Sequence, residues 1–346
     1  MNVFRRNRQM NRKMDRKMNK NMTCRTMARS TMHQQLFQFT LVGLLTTLAA
    51  CGDSSQVVTT YSDAPDGEAI VLTDVDFDPD TLIPETQPVA DYLAANLNAV
   101  GIRKGEVQIA PDSDTVAQWM ASGEVDLYFD SVYPVMRVME ASGATPILRR
   151  WKDGVAEYNT LFVARRDSGL RQLADLQGEM LAFQDPDSSS GFMFPVIYML
   201  EQDMTLVRKA EPNHAVAEDE IGYVFSGRED TTVEWVLNGK VAAGTIDDET
   251  FRELSEEDRK QLVVLAETEM YPRHVVLAAP DLTPQQIEAI KTTLVGMDES
   301  REGQAALKEF SDTAQFDEFP EGSEAAITRL QDAYNHFQDF LKTQQQ

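Results

Sequence analysis

What most limits the fold of this chain is the order of its apolar runs: from Ala69 onward, short strand-like runs alternate with longer stretches of helical spacing. "AIVLTDV" (69–75) has the length and β-branched content of a buried strand. "TQPVADYLAANLNAVG" (86–101) has helical spacing and stops on Gly101. "EVQIA" (106–110) reads as a strand, "SDTVAQWMASG" (113–123) as a capped helix, and "VDLYFD" (125–130) as a strand ending in a polar turn. That order predicts a parallel sheet with right-handed crossovers.

A second set of the same kind follows. "NTLFVARRDSG" (159–169) and "MLAFQD" (180–185) are separated by a short helix, and another helix starts in "DSSSGFMFPVIYML" (187–200). Then come "EIGYVF" (220–225), the helix "TTVEWVLNGK" (231–240), the strand "VAAGTID" (241–247) and the helix "DETFRELSEEDRKQ" (248–261). "LVVLAETEMYPRHVVLAAP" (262–280) carries the chain back, and helical stretches from Thr283 close it. The expected division is a first lobe over 68–157, a second over 158–264, and a return with C-terminal helices over 265–346. In such sheets ligands bind outside the carboxyl ends of the strands. The tips to inspect are therefore Thr73–Phe77, Asp130–Tyr133, Asp185–Gly191, Phe225–Thr231 and Thr245–Asp248.

Ahead of the folded part lies an address. The first 35 residues hold ten Lys or Arg and one acid, Asp15; an uncharged run from Leu36 then ends in Leu48-Ala49-Ala50-Cys51. A basic n-region and a short apolar h-region form a signal peptide over 1–50, too short to span a bilayer, which takes about 20 residues. The last four residues resemble a bacterial lipobox, which implies cleavage before Cys51, lipidation of its thiol and membrane anchoring outside the cytoplasm. Met22, Met27 and Met32 are alternative starts. Residues 51–67 are polar and suit a tether. Removing the leader takes Cys24 with it and leaves no cysteine pair for a disulfide. It also leaves 22 basic against 55 acidic residues, a net charge near −33, which argues against nucleic acid as a partner.

The densest chemical signal is Ser188-Ser189-Ser190-Gly191 at a strand-to-helix junction. A helix start has unpaired N–H groups and a partial positive charge, so hydroxyls there can hold an anion. The same residues also suit an N-cap, and the local pattern leaves both readings open.

"GEVDLYFDSVYP", "RRDSGLRQLADLQGEMLAFQDPDSSSGFMFP", "FSGREDTTVEWVLNGKVAAGTIDDETF" and "YPRHVVLAAPDLTPQQIEAIKTTLVGMD" together resemble the phosphonate, phosphite and phosphate-ester binding proteins of ABC importers. The resemblance covers about 68–330. Its most specific element is D-P-x-S-x-S-G, here Asp185, Pro186, Ser188, Ser190 and Gly191. It implies an α/β, two-lobe type II periplasmic-binding-protein fold that closes on an oxyanion held by Ser188, Ser189, Ser190 and the N–H groups around Gly191. It further implies a membrane permease as partner, no enzyme activity, no cofactor, no metal and a monomeric chain.

One departure stands out. Where the family often has S-G-S-H-D, this chain has Ser226-Gly227-Arg228-Glu229-Asp230. A carboxylate at Glu229 repels a phosphoryl oxygen, so either Glu229 faces away or the ligand has a cationic end, with Asp230 the better ammonium contact. First-turn helix acids are the plainer alternative. Asp130, Ser131, Tyr133, Tyr158 and Asp247 are further candidate contacts, each with a loop, hinge or turn role as its alternative.

No Ser-His-acid order, metal-binding spacing, P-loop or dinucleotide fingerprint is present. Two alternatives to an importer receptor remain: a ligand-sensing module for a membrane sensor kinase, and a metal-anion binder of the transferrin-like group using Tyr133 and Tyr158.

Overall fold

The computed structural model describes residues 67–75 and 79–344. The leader, the lipobox with Cys51, most of the tether and the strand tip at Asp76 and Phe77 lie outside the described residues.

The first lobe is built from β1 (Glu68–Val75), α1 (Pro79–Asn96), β2 (Ile102–Ala110), α2 (Ser113–Ser122), β3 (Leu127–Asp130), α3 (Val132–Ser142) and β4 (Thr145–Arg150). A two-residue β5 (Glu157–Tyr158) leads into the second lobe: β6 (Thr160–Arg165), β7 (Met180–Phe183), α4 (Phe194–Leu200), β8 (Leu206–Arg208), β9 (Ile221–Phe225), α5 (Glu229–Leu237), β10 (Ala243–Asp247), α6 (Asp248–Glu253), α7 (Glu256–Gln261) and β11 (Leu262–Glu267). The chain returns through β12 (Tyr271–Pro272) to β13 (His274–Ala278), α8 (Pro284–Val295), α9 (Arg301–Glu309), β14 (Phe316–Asp317) and α10 (Ser323–Thr343).

Two six-stranded sheets result, ordered β14-β4-β13-β3-β1-β2 and β11-β6-β10-β7-β9-β8. β1 runs parallel to β2 and β3, while β13 enters the first sheet antiparallel between β3 and β4. β5 and β12 pair with each other, Tyr158 opposite Tyr271, and join the lobes. This is the expected α/β, two-lobe architecture.

Local chemistry explains the element ends. Asp112 caps α2 by accepting from Thr115 N at 2.8 Å, and Gly123 closes it at φ 74°, where a side chain would be strained. Several elements differ from the sequence reading. α1 begins at Pro79, well before Thr86, and runs through Pro84 and Pro88. α3 and β4 were not anticipated, since Pro134 and the short basic-ended "TPILRR" obscured them. The stretch 248–261 is two helices, because Ser255 leaves the helical conformation to cap α7.

The C-terminal helix α10 contributes aromatic rings to a core shared by both lobes. Phe337 is fully buried, with its ring 5.1 Å from Tyr133 of the first lobe and 5.1 Å from Phe192 of the second. Tyr334 donates to Glu140 on α3 at 3.0 Å, and Gln344 donates to the Leu206 carbonyl at 3.2 Å.

Candidate functional site

Ser189 and Ser190 stand in a single π-turn, Ser189–Met193, which Ser188 caps and which leads into α4. Gly191 is required there by close approach: a Cβ would sit 2.4 Å from the Cβ of Gln184. Its carbonyl accepts from Gln184 N at 3.0 Å and from Thr245 Oγ1 at 3.1 Å, which binds the turn to both flanking strand tips.

Each serine is placed differently. Ser188 caps the turn: its hydroxyl accepts from Gly191 N at 2.9 Å and donates to Gln184 Oε1 at 3.0 Å. Ser189 reaches the other lobe, accepting from Tyr133 N at 2.8 Å and donating to Ser131 Oγ at 2.9 Å. Ser190 is 7% exposed, takes a bond from Thr160 Oγ1 on its carbonyl at 2.7 Å, and directs its hydroxyl to the Tyr158 phenol. The starts of α3 and of the serine turn therefore meet, and both present helix N-terminal amides.

Asp130 ends β3 beside this meeting point. It accepts from Tyr128 OH at 2.5 Å, Ser131 N at 2.6 Å and Ser131 Oγ at 3.2 Å. Burial raises its pKa, and those bonds hold it down. The Tyr133 ring packs against Tyr334 and Phe337, leaving its backbone N–H as the group at the junction. Outside the serine turn an ion pair also crosses between the lobes, Arg137–Asp187 at 2.8 Å, and Arg137 holds Asp114 at the same distance.

Tyr158 is 1% exposed, and the guanidinium of Arg273 stands 4.8 Å over its ring. Burial pushes its phenol up, and Arg273 opposes this. Tyr133 also has a raised phenol pKa, from burial first. Neutral phenols of this kind are poor starting points for the tyrosinates of a ferric site, and no cluster of three metal-ligating His, Cys, Asp or Glu occurs among the described residues.

Glu229 is turned toward α6, where its carboxylate accepts from Asp247 N at 2.9 Å and Thr250 Oγ1 at 2.6 Å. Burial and the neighbouring Asp247 raise its pKa. Both oxygens are thus engaged within the second lobe. Asp230 lies on the outer side, paired with Arg228 at 3.1 Å and more than half exposed, so the structure does not bring it to the serines. Asp247 is 6% exposed and caps α6 through Thr250 N at 2.6 Å.

Of four groups at the floor between the lobes, sequence reasoning missed Lys152, Arg273 and His274 and reached Asp74 only as part of the strand tip Thr73–Phe77. Asp74 is the penultimate residue of β1, and burial, then Asp130, push its carboxyl up to about 7. Lys152 follows β4, and burial, then Arg273, lower its pKa. Arg273 and His274 follow β12. No motif marks any of them; only the alignment of β1, β3, β4 and the returning β13 brings them together.

A separate groove of about 980 Å³ lies along α10 and is lined by Glu201, Glu269, Glu321, Glu324, Asp332 and Arg329 among others. Its excess of carboxylates is unsuited to an anion.

Residues 74–323 match the family described as ABC transporter, phosphonate, periplasmic substrate-binding protein. The chain is 28% identical over 197 residues to the phosphate-import protein PhnD of Mycolicibacterium smegmatis, and the match spans 55% of this chain and 60% of that protein. In three dimensions it is similar to XAC2383 from Xanthomonas citri, solved with chloride (TM-score 0.71, 24% identity, 80% of this chain and 99% of that one) and with ATP (TM-score 0.69, 23%, 78% and 97%). PhnD1 from Prochlorococcus marinus, solved with methylphosphonate, superposes with TM-score 0.54 at 16% identity over 78% of this chain and 98% of that one.

Proposed function

The chain belongs to the family of periplasmic substrate-binding proteins of ABC phosphonate transporters, and from that premise we propose that it captures a phosphonate, phosphite or related phosphorus oxyanion for a membrane permease. The observation that carries this reading is the junction of Ser189 with Ser131 and the Tyr133 amide, where two helix starts converge. A tetrahedral oxyanion inserted there takes hydroxyl and amide donors from both lobes, and so draws them together by hinge closure. The ligands bound in the structural relatives, methylphosphonate, ATP and chloride, are all anions.

In the same reading Ser190, Tyr158, Asp130 and Asp247 line the site, and Ser188 with Gly191 shape the turn. Cys51 is the lipid attachment point, which keeps the receptor at the membrane surface outside the cytoplasm. Among the described residues no helix is long and apolar enough to cross a membrane.

A thermal-shift screen over phosphate, phosphite, methylphosphonate, 2-aminoethylphosphonate and methanesulfonate tests the ligand class. A true ligand at a hundred times its Kd stabilises the fold by about 2.7 kcal/mol. Absence of any shift with every phosphorus compound contradicts the proposal.

A further inference from the structure

α3 carries its contacts with the second lobe and with α10 on one face. Tyr133, Arg137 and Glu140 lie four and three residues apart, a spacing that stacks side chains along one side of a helix. At the helix start Tyr133 N meets Ser189, one turn on Arg137 meets Asp187, and a further turn on Glu140 accepts from Tyr334. Arg137 has one carboxylate partner in each lobe. Its Nη1 donates to Asp187 Oδ1 of the second lobe at 2.8 Å, and its Nη2 donates to Asp114 Oδ1 on α2 of its own lobe at 2.8 Å.

Opening of the cleft treats the two partners differently. Asp187 stands two residues before Ser189, and its N–H donates to Asp185 Oδ1 at 2.9 Å, which fixes it in the same turn as the serines. A hinge rotation that carries Ser189 away from Tyr133 N therefore carries Asp187 away from Arg137. Asp114 stays, because α2 packs along α3 within the first lobe. Opening thus leaves Arg137 with a carboxylate still bound and strands no cation. The cross-lobe pair is also open to water, the Arg137 side chain being 29% exposed and that of Asp187 65%. Pairs of this kind are weak and screened by salt, so this one biases the lobes without fixing them. Asp187 occupies the first variable position of the D-P-x-S-x-S-G element, so the element's pattern does not require an acid there.

We propose that Arg137 and Asp187 form a latch at the rim of the cleft, which slows release of the ligand held by the serine turn without touching it. This rests on the oxyanion-receptor reading and adds the residues that set the ligand's dwell time. The probe is whichever of phosphate, phosphite, methylphosphonate, 2-aminoethylphosphonate and methanesulfonate binds the parent most tightly, and its release is followed by a stopped-flow chase. Asp187→Asn is expected to release it roughly two- to fivefold faster in low salt, with association little changed. At about 1 M salt, where the screening length is about 3 Å, variant and parent converge. Asp187→Glu keeps the slow release. Asp114→Asn is the control, since it cuts a pair inside one lobe and leaves release no faster. The double variant Arg137→Met/Asp187→Asn releases no faster than Arg137→Met alone. If Arg137→Met does not fold, the substitutions at the two exposed carboxylates still decide. Equal release rates for Asp187→Asn and the parent in low salt overturn the latch, as does equal acceleration by Asp114→Asn and Asp187→Asn. A parent that binds none of the five compounds overturns the receptor reading, and the latch with it.

Discussion

The hydroxyl of Ser189, in the second lobe, accepts the backbone N–H of Tyr133, in the first, at 2.8 Å. Its own proton goes to Ser131 Oγ. A single side chain thus joins the start of one lobe's helix to the start of the other's. It is also the position a bound oxyanion would have to share. The neighbouring serines do other things, which makes their substitutions distinguishable.

Ser188→Ala removes a cap and leaves Gly191 N without its partner. The expected result is a loss of about 0.5–2 kcal/mol in denaturation, with ligand affinity changed less than by loss of Ser190. Equal affinity losses for both variants would place Ser188 in direct contact with the ligand.

Gly191→Ala forces a methyl to within 2.4 Å of the Gln184 Cβ. Overpacking of this kind costs roughly 1–3 kcal/mol. Urea denaturation should show that loss, and parent-like stability would mean that the turn relaxes freely.

How much of this was legible beforehand depends on the kind of interaction. The D-P-x-S-x-S-G element announced itself because glycine and hydroxyls at a strand-to-helix junction are a local pattern, as is the strand–helix alternation behind the two sheets. Glu229 looked like an intruder in the site, since only the tertiary fold shows its carboxylate turned onto Asp247 N and Thr250. Lys152 and Arg273 were invisible for a related reason: they are brought together by β13 returning between β3 and β4, a pairing across more than a hundred residues. α3 was hidden by Pro134, which is compatible with a helix's first turn even though it reads as a breaker.

The buried carboxylates predict a pH dependence. Asp74 is pushed up to about 7, and Asp126 to about 6, each by burial first. In the unfolded chain both titrate near 3.9. The folded state therefore holds their protons more tightly, and stability falls as pH rises between about 4 and 7. Asp74→Asn should flatten that fall, as measured by denaturation at about pH 5 and about pH 8. Parallel pH profiles for variant and parent would show that Asp74 is ionised at no cost.

Phe337 on α10 contacts Tyr133 and Phe192, one from each lobe. Truncation of a buried Phe to Ala typically costs 3–5 kcal/mol, and a loss of that size is expected for Phe337→Ala. A loss below about 1 kcal/mol would mean that the C-terminal helix is dispensable to the core.

The proposed membrane attachment rests on Leu48-Ala49-Ala50-Cys51, outside the described residues. Cys51→Ser should release the protein from the membrane fraction or leave its leader uncleaved. Normal processing and fractionation of that variant would exclude lipidation at Cys51.

The central claim is that a phosphorus oxyanion sits against the serine turn, and calorimetric titration of Ser190→Ala beside the parent tests it most directly. Hydrogen bonds to charged groups are worth about 1.5–3 kcal/mol, so the variant should bind the parent's best phosphorus ligand roughly ten- to a hundredfold more weakly while unfolding at nearly the same denaturant concentration. Unchanged affinity for phosphate, phosphite and phosphonate in a folded Ser190→Ala variant would contradict the account and move the anion site elsewhere.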